Sequence, residues 1–263
     1  MPRIRSASHP RGRRFVALAS ILAALLVSGC DSIRKVIGGA EPAEFFDAAT
    51  VQLLEAARDG DVDGARRLID EGVDVNGRGN DHDPLRRGLS PLHYAVEFEG
   101  PRTITTLLAV GADPLLSRES GYNAMTYALL RDRPRSVSTL LTHDPTLADA
   151  HDRIGGNALH TAVRFGRDSS VQMLIDAGAD LDSPQPLTGW TPLFTAAGVQ
   201  NIDHCLVLIR AGADGGHRDR RGSTFLPSLY RPKDSLRTGE FLRARGELER
   251  ELRTRGFPVE TGR

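Results

Sequence analysis

Three segments of this chain share one template. SPLHYAVEFEGPRTITTLLAVGAD starts at Ser90, NALHTAVRFGRDSSVQMLIDAGAD at Asn157 and TPLFTAAGVQNIDHCLVLIRAGAD at Thr191. In each, the opening residue stands 21 positions before the Gly of a closing Gly-Ala-Asp triplet (Gly111, Gly178, Gly212). Weaker openings at Asn123 and Thr224 complete a series with spacings of 33, 34, 34 and 33 residues. A constant period outranks local propensity, because a unit this short cannot bury its own apolar face and has to stack on a neighbour. Each unit reads as two short helices. Ser, Thr or Asn at the opening caps the first helix, and Pro fits its first turn, where its missing N–H would be unpaired anyway. The triplet Gly ends the second helix in the left-handed conformation, and Asp180 and Asp214 are expected to bond within the loop that follows.

The TPLH-like openings, paired helices and Gly-Ala-Asp closes together resemble ankyrin repeats. The resemblance implies an all-α repeat solenoid with short β-hairpin finger loops, covering residues 45–256 in about six units with degenerate ends. Residues 257–263 read as a flexible C-terminal tail. In the first unit Val51 takes the opening position, Gly72-Val73-Asp74 replaces the triplet, and a polar outer face suits a terminal unit. The stretch 76–89, NGRGNDHDPLRRGL, is about five residues longer than the matching loops and reads either as a binding finger or as an inert surface loop. At the other end Gly239–Arg255 reads as one amphipathic helix closing the stack, with Phe241, Leu242, Leu248 and Leu252 as its apolar stripe. Aromatic residues make up only 5%, which suits short helices packed through Leu, Ala, Val and Ile.

The first 30 residues carry a different signal. Arg11, Arg13 and Arg14 precede the apolar run FVALASILAALLV, Phe15 to Val27, too short to cross a bilayer as a helix. Residues 1–29 read as a signal peptide. Val27-Ser28-Gly29-Cys30 resembles the bacterial lipobox, which implies cleavage after Gly29 and acylation of Cys30, with residues 30–44 as a lipidated tether. Three acyl chains hold a protein on a membrane essentially permanently. Asp31 resembles a signal for inner-membrane retention in enterobacteria, and both inner and outer membrane stay open. The implied location is the cell envelope, facing the periplasm.

No catalytic set has usable spacing: HExxH, C-x-x-C, a Gly-rich phosphate loop and G-x-S-x-G are all missing from the sequence. His93 and His160 fall where the family's His bonds backbone in the turn, which marks them as structural. Asp81, His82 and Asp83 read as a hydrated acidic loop rather than a metal site. Cys205, left without a partner once Cys30 is acylated, reads as a small buried hydrophobe. The expectation is therefore a non-enzyme with no cofactor, no metal and no small-molecule substrate. Without the five Arg of residues 1–29 the chain holds 29 basic against 34 acidic residues, a net of −5, which disfavours nucleic acid.

What remains is binding. The family's usual contact positions project onto Arg58, Asp59, Tyr94, Glu97, Phe98, Tyr127, Arg131, Arg164, Phe165 and Val199 on the first helices. They add Arg78, Arg86, Tyr122, Arg153 and Trp190 on the fingers. Arg and aromatic side chains are good interface anchors. The expected partner is a periplasmic or envelope protein, with this chain as a stress or envelope accessory factor, or else an incoming toxin, with the chain as its immunity protein. A passive spacer or scaffold is the third reading.

Overall fold

The computed structural model describes residues 41–79, 88–118, 120–231 and 237–260. Five helical pairs follow the period: α1 (Ala48–Asp59) with α2 (Val62–Asp70), α3 (Pro91–Tyr94) with α4 (Pro101–Ala109), and α5 (Ala124–Leu130) with α6 (Pro134–His143). The series continues with α7 (Ala158–Arg164) and α8 (Asp168–Asp176), then α9 (Pro192–Gly198) and α10 (Ile202–Ala211). A 3-10 turn at Leu226–Tyr230 and α11 (Gly239–Thr254) make the last pair. First helices line up with first helices, α5 against α7 and α7 against α9, and second helices likewise, α4 against α6 and α6 against α8. Leu53, Leu92, Ile104, Leu107, Leu140, Leu159, Leu174, Leu193 and Leu208 fill the space between them, each essentially inaccessible to solvent. Ile175 is half-buried, not a core residue.

Three of the five polar openings cap as the sequence expects; Thr224 does not cap the turn that follows it, its hydroxyl donating to Glu260 at 3.3 Å. Ser90, Asn123 and Asn157 accept the backbone N–H three residues on, at 3.4, 2.9 and 3.2 Å. Thr191 makes no such bond, and its buried hydroxyl has no partner among the described residues. In the other three units a polar side chain at the third position meets the cap, whereas Phe194 there offers no polar atom. The first unit is capped by Asp47, not by Val51: the Asp47 carboxylate accepts from Thr50 N at 2.8 Å, and α1 starts one turn earlier.

The turn between the paired helices has its own rule. The ninth residue after each opening has positive φ: Gly60, Asp132, Gly166 and Gln200, between 55° and 74°. The second unit departs from it. Glu99 there lies in a π-helical turn, Ala95–Glu99, closed by Gly100 N to Ala95 O at 3.0 Å. The positive φ moves one residue on, to Gly100 at φ 121° and ψ −165°, a region only Gly enters without strain.

Three expectations are corrected. The fingers contain no strand among the described residues; the turns are closed by two backbone bonds, such as Asp152 N to Gly156 O (2.8 Å) with Gly155 N to Asp152 O (2.9 Å), or Asp219 N to Ser223 O (3.0 Å) with Gly222 N to Asp219 O (2.9 Å), too few for a ladder. The fold begins before residue 45: Pro42–Glu44 is a 3-10 turn, Pro42 is buried, and Phe45 packs on Tyr94 and Phe98. At the far end residues 257–260 do not form a loose tail. Phe257 N bonds Leu252 O at 2.8 Å, and Glu260 pairs with Arg218 at 2.5 Å, which holds its carboxyl below the usual range. Leu248 and Leu252 of α11 cover α10, with Arg245 buried beneath them over the Tyr230 ring at 4.2 Å.

Candidate interaction surface

The fingers owe their shape to short polar bonds. One carboxylate oxygen of Asp152 accepts Ile154 N and Gly156 N, both at 3.0 Å; Asp219 does the same for Arg221 N and Ser223 N at 2.9 and 3.0 Å. Each such Asx turn lifts the two residues after the Asp to the tip, so Arg153, Ile154, Arg220 and Arg221 are exposed. The finger between them is one residue longer, and its tip Leu187 is 83% exposed.

Neighbouring units are stitched through cap and histidine side chains. His93 Nδ1 meets Ser90 Oγ at 2.8 Å and its Nε2 meets Tyr122 O at 3.1 Å. His160 Nδ1 lies 2.8 Å from Asn157 Oδ1 and its Nε2 2.9 Å from Trp190 O, while the Asn157 amide donates to Asp149 Oδ1 and Asp180 O. Burial lowers the pKa of His93 to about 3 and of His160 to about 4. Asp180 and Asp214 bond Asp182 N and Gly216 N in the loop after each triplet, at 3.0 and 2.8 Å. Cys205 is fully buried and burial pushes its thiol pKa up, away from the reactive thiolate. Among the described residues no three His, Cys, Asp or Glu side chains converge as metal ligands, and no helix is long and apolar enough to cross a membrane.

The projected contact residues divide sharply. Tyr94, Tyr127 and Glu97 are buried and are corrected from contact residues to packing ones. Phe45 and Phe46 cover Tyr94, with ring centroids 5.6 and 5.8 Å away. Tyr127 lies under the Arg118 guanidinium (4.6 Å), and its hydroxyl donates to Glu97, which also pairs with Arg131. Phe98 is half-buried beside Tyr94 at 4.9 Å. Several arginines serve the protein itself. Arg58 holds Glu99 of the next unit with two bonds (3.0 and 2.7 Å), Arg164 faces Asp152 at 3.4 Å, and Arg78 donates to Ser117 O at 3.1 Å.

Asp59, Arg153 and Val199 are exposed, and Tyr122, Phe165 and Trp190 are half-buried. The side chain of Arg131 stays partly open despite its pairing with Glu97. Arg86, the acidic 81–83 stretch and the Val27–Cys30 motif lie outside the described residues.

The surface residues that sequence reasoning missed are Ile154, Leu187, Arg220, Arg221 and Arg231. The signal was available: in both Asp-x-x-Gly fingers, 152–155 and 219–222, the middle pair forms the tip. Together with Trp190, Phe194 and Thr188, the last four of these border a groove of about 270 Å³.

A family model described as ankyrin repeats (three copies) matches residues 53–149, 92–185 and 147–219. A putative ankyrin repeat protein of Acanthamoeba polyphaga mimivirus is 28% identical over 140 residues, covering 53% of this chain and 18% of its own length. The mouse B-cell lymphoma 3 protein homolog is 29% identical over 150 residues, covering 56% of this chain and 33% of its own. This chain therefore spans a third or less of each of these relatives. Among solved structures, the ankyrin repeat domain of Bcl-3 superposes with a TM-score of 0.59 at 27% identity, over 79% of this chain and 86% of that one.

Proposed function

Because the chain belongs to the ankyrin-repeat family, we propose that it is a non-catalytic protein-binding module held on a bacterial envelope through lipid on Cys30. It faces the periplasm and acts as an accessory factor to a stress or envelope protein. Ankyrin repeats are in general protein–protein interaction modules, and no enzymatic family matches. The observation that carries the reading is the set of exposed large apolar side chains on a polar-stitched frame: Leu115 (55% exposed), Ile154 (43%), Leu187 and Val199 (45%). Large apolar groups left in water on rigid turns mark a contact surface better than isolated ones on mobile loops. The anchor is supported by the charged start, the short apolar run and the small residues before Cys30.

The test is site-specific photocrosslinking of the full chain in cells. A photoreactive residue at Ile154 or Val199 is expected to trap one partner, while one at Gln172, exposed on a second helix, traps none. Equal trapping at all three positions, or at none, overturns the reading. The anchor has a separate test: Cys30→Ala is expected to move the protein out of the detergent phase on cell fractionation, and its persistence there counts against lipidation.

A further inference from the structure

The groove at the C-terminal fingers joins an aromatic floor to a rim of three arginines that have no acidic partner among the described residues. We propose that it takes a short acidic peptide segment of the partner, one apolar side chain of which rests on Trp190. This rests on the protein-binding reading above and specifies the ligand chemistry.

The floor is fixed in place. Trp190 stacks on Phe194 at 6.3 Å, and Phe194 is held edge-on by His217 (5.8 Å) and Phe225 (6.4 Å). The Trp190 backbone is clamped on both sides, its N–H by Thr188 Oγ1 at 3.1 Å and its carbonyl by His160. The two fingers are themselves joined by Arg220 N to Thr188 O at 3.0 Å. Trp190 is nevertheless only half-buried and lines the groove with Leu187, so the groove offers pre-organised apolar surface at little ordering cost.

Three arginines border this one groove. Arg58, Arg131, Arg164, Arg167, Arg210 and Arg218 each have an acidic partner. Arg220, Arg221 and Arg231 are exposed and have none among the described residues. The one acid lining the groove among the described residues, Asp219, already uses a carboxylate oxygen to hold its own turn. Guanidinium groups bind carboxylates through paired N–H donors, and Arg beside Trp is the commonest composition of an energetic contact. A nucleic-acid strand is the weaker match. It needs positive charge along a track, and here three arginines border a small pocket that also contains a carboxylate.

The chain has a single Trp, so its emission reports on this groove alone. The experiment titrates the full chain, in detergent, with a decapeptide of alternating Asp and Glu around a central Leu. The expected result is a saturable change in Trp190 emission that weakens with salt. Arg220→Glu with Arg221→Glu is expected to lower the affinity by about tenfold or more. The same peptide with Lys at every acidic position is expected to give no change.

An equal response to the Lys peptide, or undiminished binding by the double variant, overturns the proposal, as does tighter binding of a single-stranded oligonucleotide of equal length. If the acidic peptide has no effect while Val199 still traps a partner, the acidic-ligand inference falls and the protein-binding reading stands. If both fail, both fall.

Discussion

At the residue scale the most informative side chains are buried ones that the sequence placed at the surface. Glu97, with its side chain only 1% exposed, accepts hydrogen bonds from both Tyr127 and Arg131. Tyr127→Phe removes one donor and leaves the carboxylate short of a partner, and is expected to cost about 1–3 kcal/mol in thermal or urea unfolding. No loss of stability would mean that Arg131 alone satisfies Glu97. The histidines give a pH signature. Both are held far below the ordinary value of 6.5, at about 3 and about 4, mainly by burial. His160 partly resists this, since both its ring nitrogens face acceptors and a neutral imidazole has one N–H. A depressed native pKa means that the unfolded chain takes up the proton first. Their contribution to stability is whole above about pH 6.5 and is lost as pH falls toward about 4 and then about 3, at about 1 kcal/mol per pH unit for each. Melting curves across this range are expected to show the loss, and a His93→Gln, His160→Gln variant a flatter slope. An unchanged slope would assign the acid sensitivity to other groups.

At the scale of the element, the turn between paired helices shows where a repeat can vary. Asp132 and Gln200 accept the left-handed conformation that Gly60 and Gly166 adopt without cost. The second unit instead uses a π turn, which places Glu99 against Arg58 of the unit before it, with the Glu99 side chain 2% exposed. Nothing lies within 4 Å of a Cβ built on Gly100 or Gly166, so a substitution at either tests backbone conformation alone. Gly166→Asn is expected to be nearly neutral, because Asn tolerates φ near 65°. Gly100→Asn is expected to lose about 1–3 kcal/mol, because φ 121° with ψ −165° is open only to Gly. Equal effects at the two sites would show that the π turn relaxes to the ordinary form. The helices, three of the five opening caps, the structural histidines and the closing glycines were legible in the sequence because each depends on residues within its own unit. The π turn, the burial of Tyr94 under Phe45 and the return of Glu260 to Arg218 were not, because each depends on a contact with another unit or with chain outside the repeat. For the same reason the sequence did not tell which projected contact residues are buried or paired within the chain: an arginine on the inner face looks alike in sequence whether its carboxylate partner lies in the next unit or in another protein.

For the whole molecule, the arrangement of units decides how damage spreads. Stability in a stack is close to a sum of unit terms and interface terms, so a unit with two neighbours couples to more of the chain than a terminal one. The ends here are closed by different means: Asp47 and the Phe45–Tyr94 contact at the start, and α11 with the Arg218–Glu260 pair at the finish. Leu174 is fully buried in α8, which packs on α7 within its unit and on α6 of the unit before. Leu174→Ala deletes buried side-chain volume there and is expected to cost about 2–5 kcal/mol. Because the pairing within the unit and the interface with the unit before both weaken, the whole transition is expected to shift down as one step. Leu252→Ala removes the same volume from α11, where the neighbour on the far side is solvent. It is expected to loosen α11 first, seen as faster amide exchange over Gly239–Thr254 while the central helices keep their protection. A central variant that broadens the melt into two steps would show that the units on either side of it uncouple, and a terminal variant that unfolds every helix together would show that the stack behaves as one cooperative block.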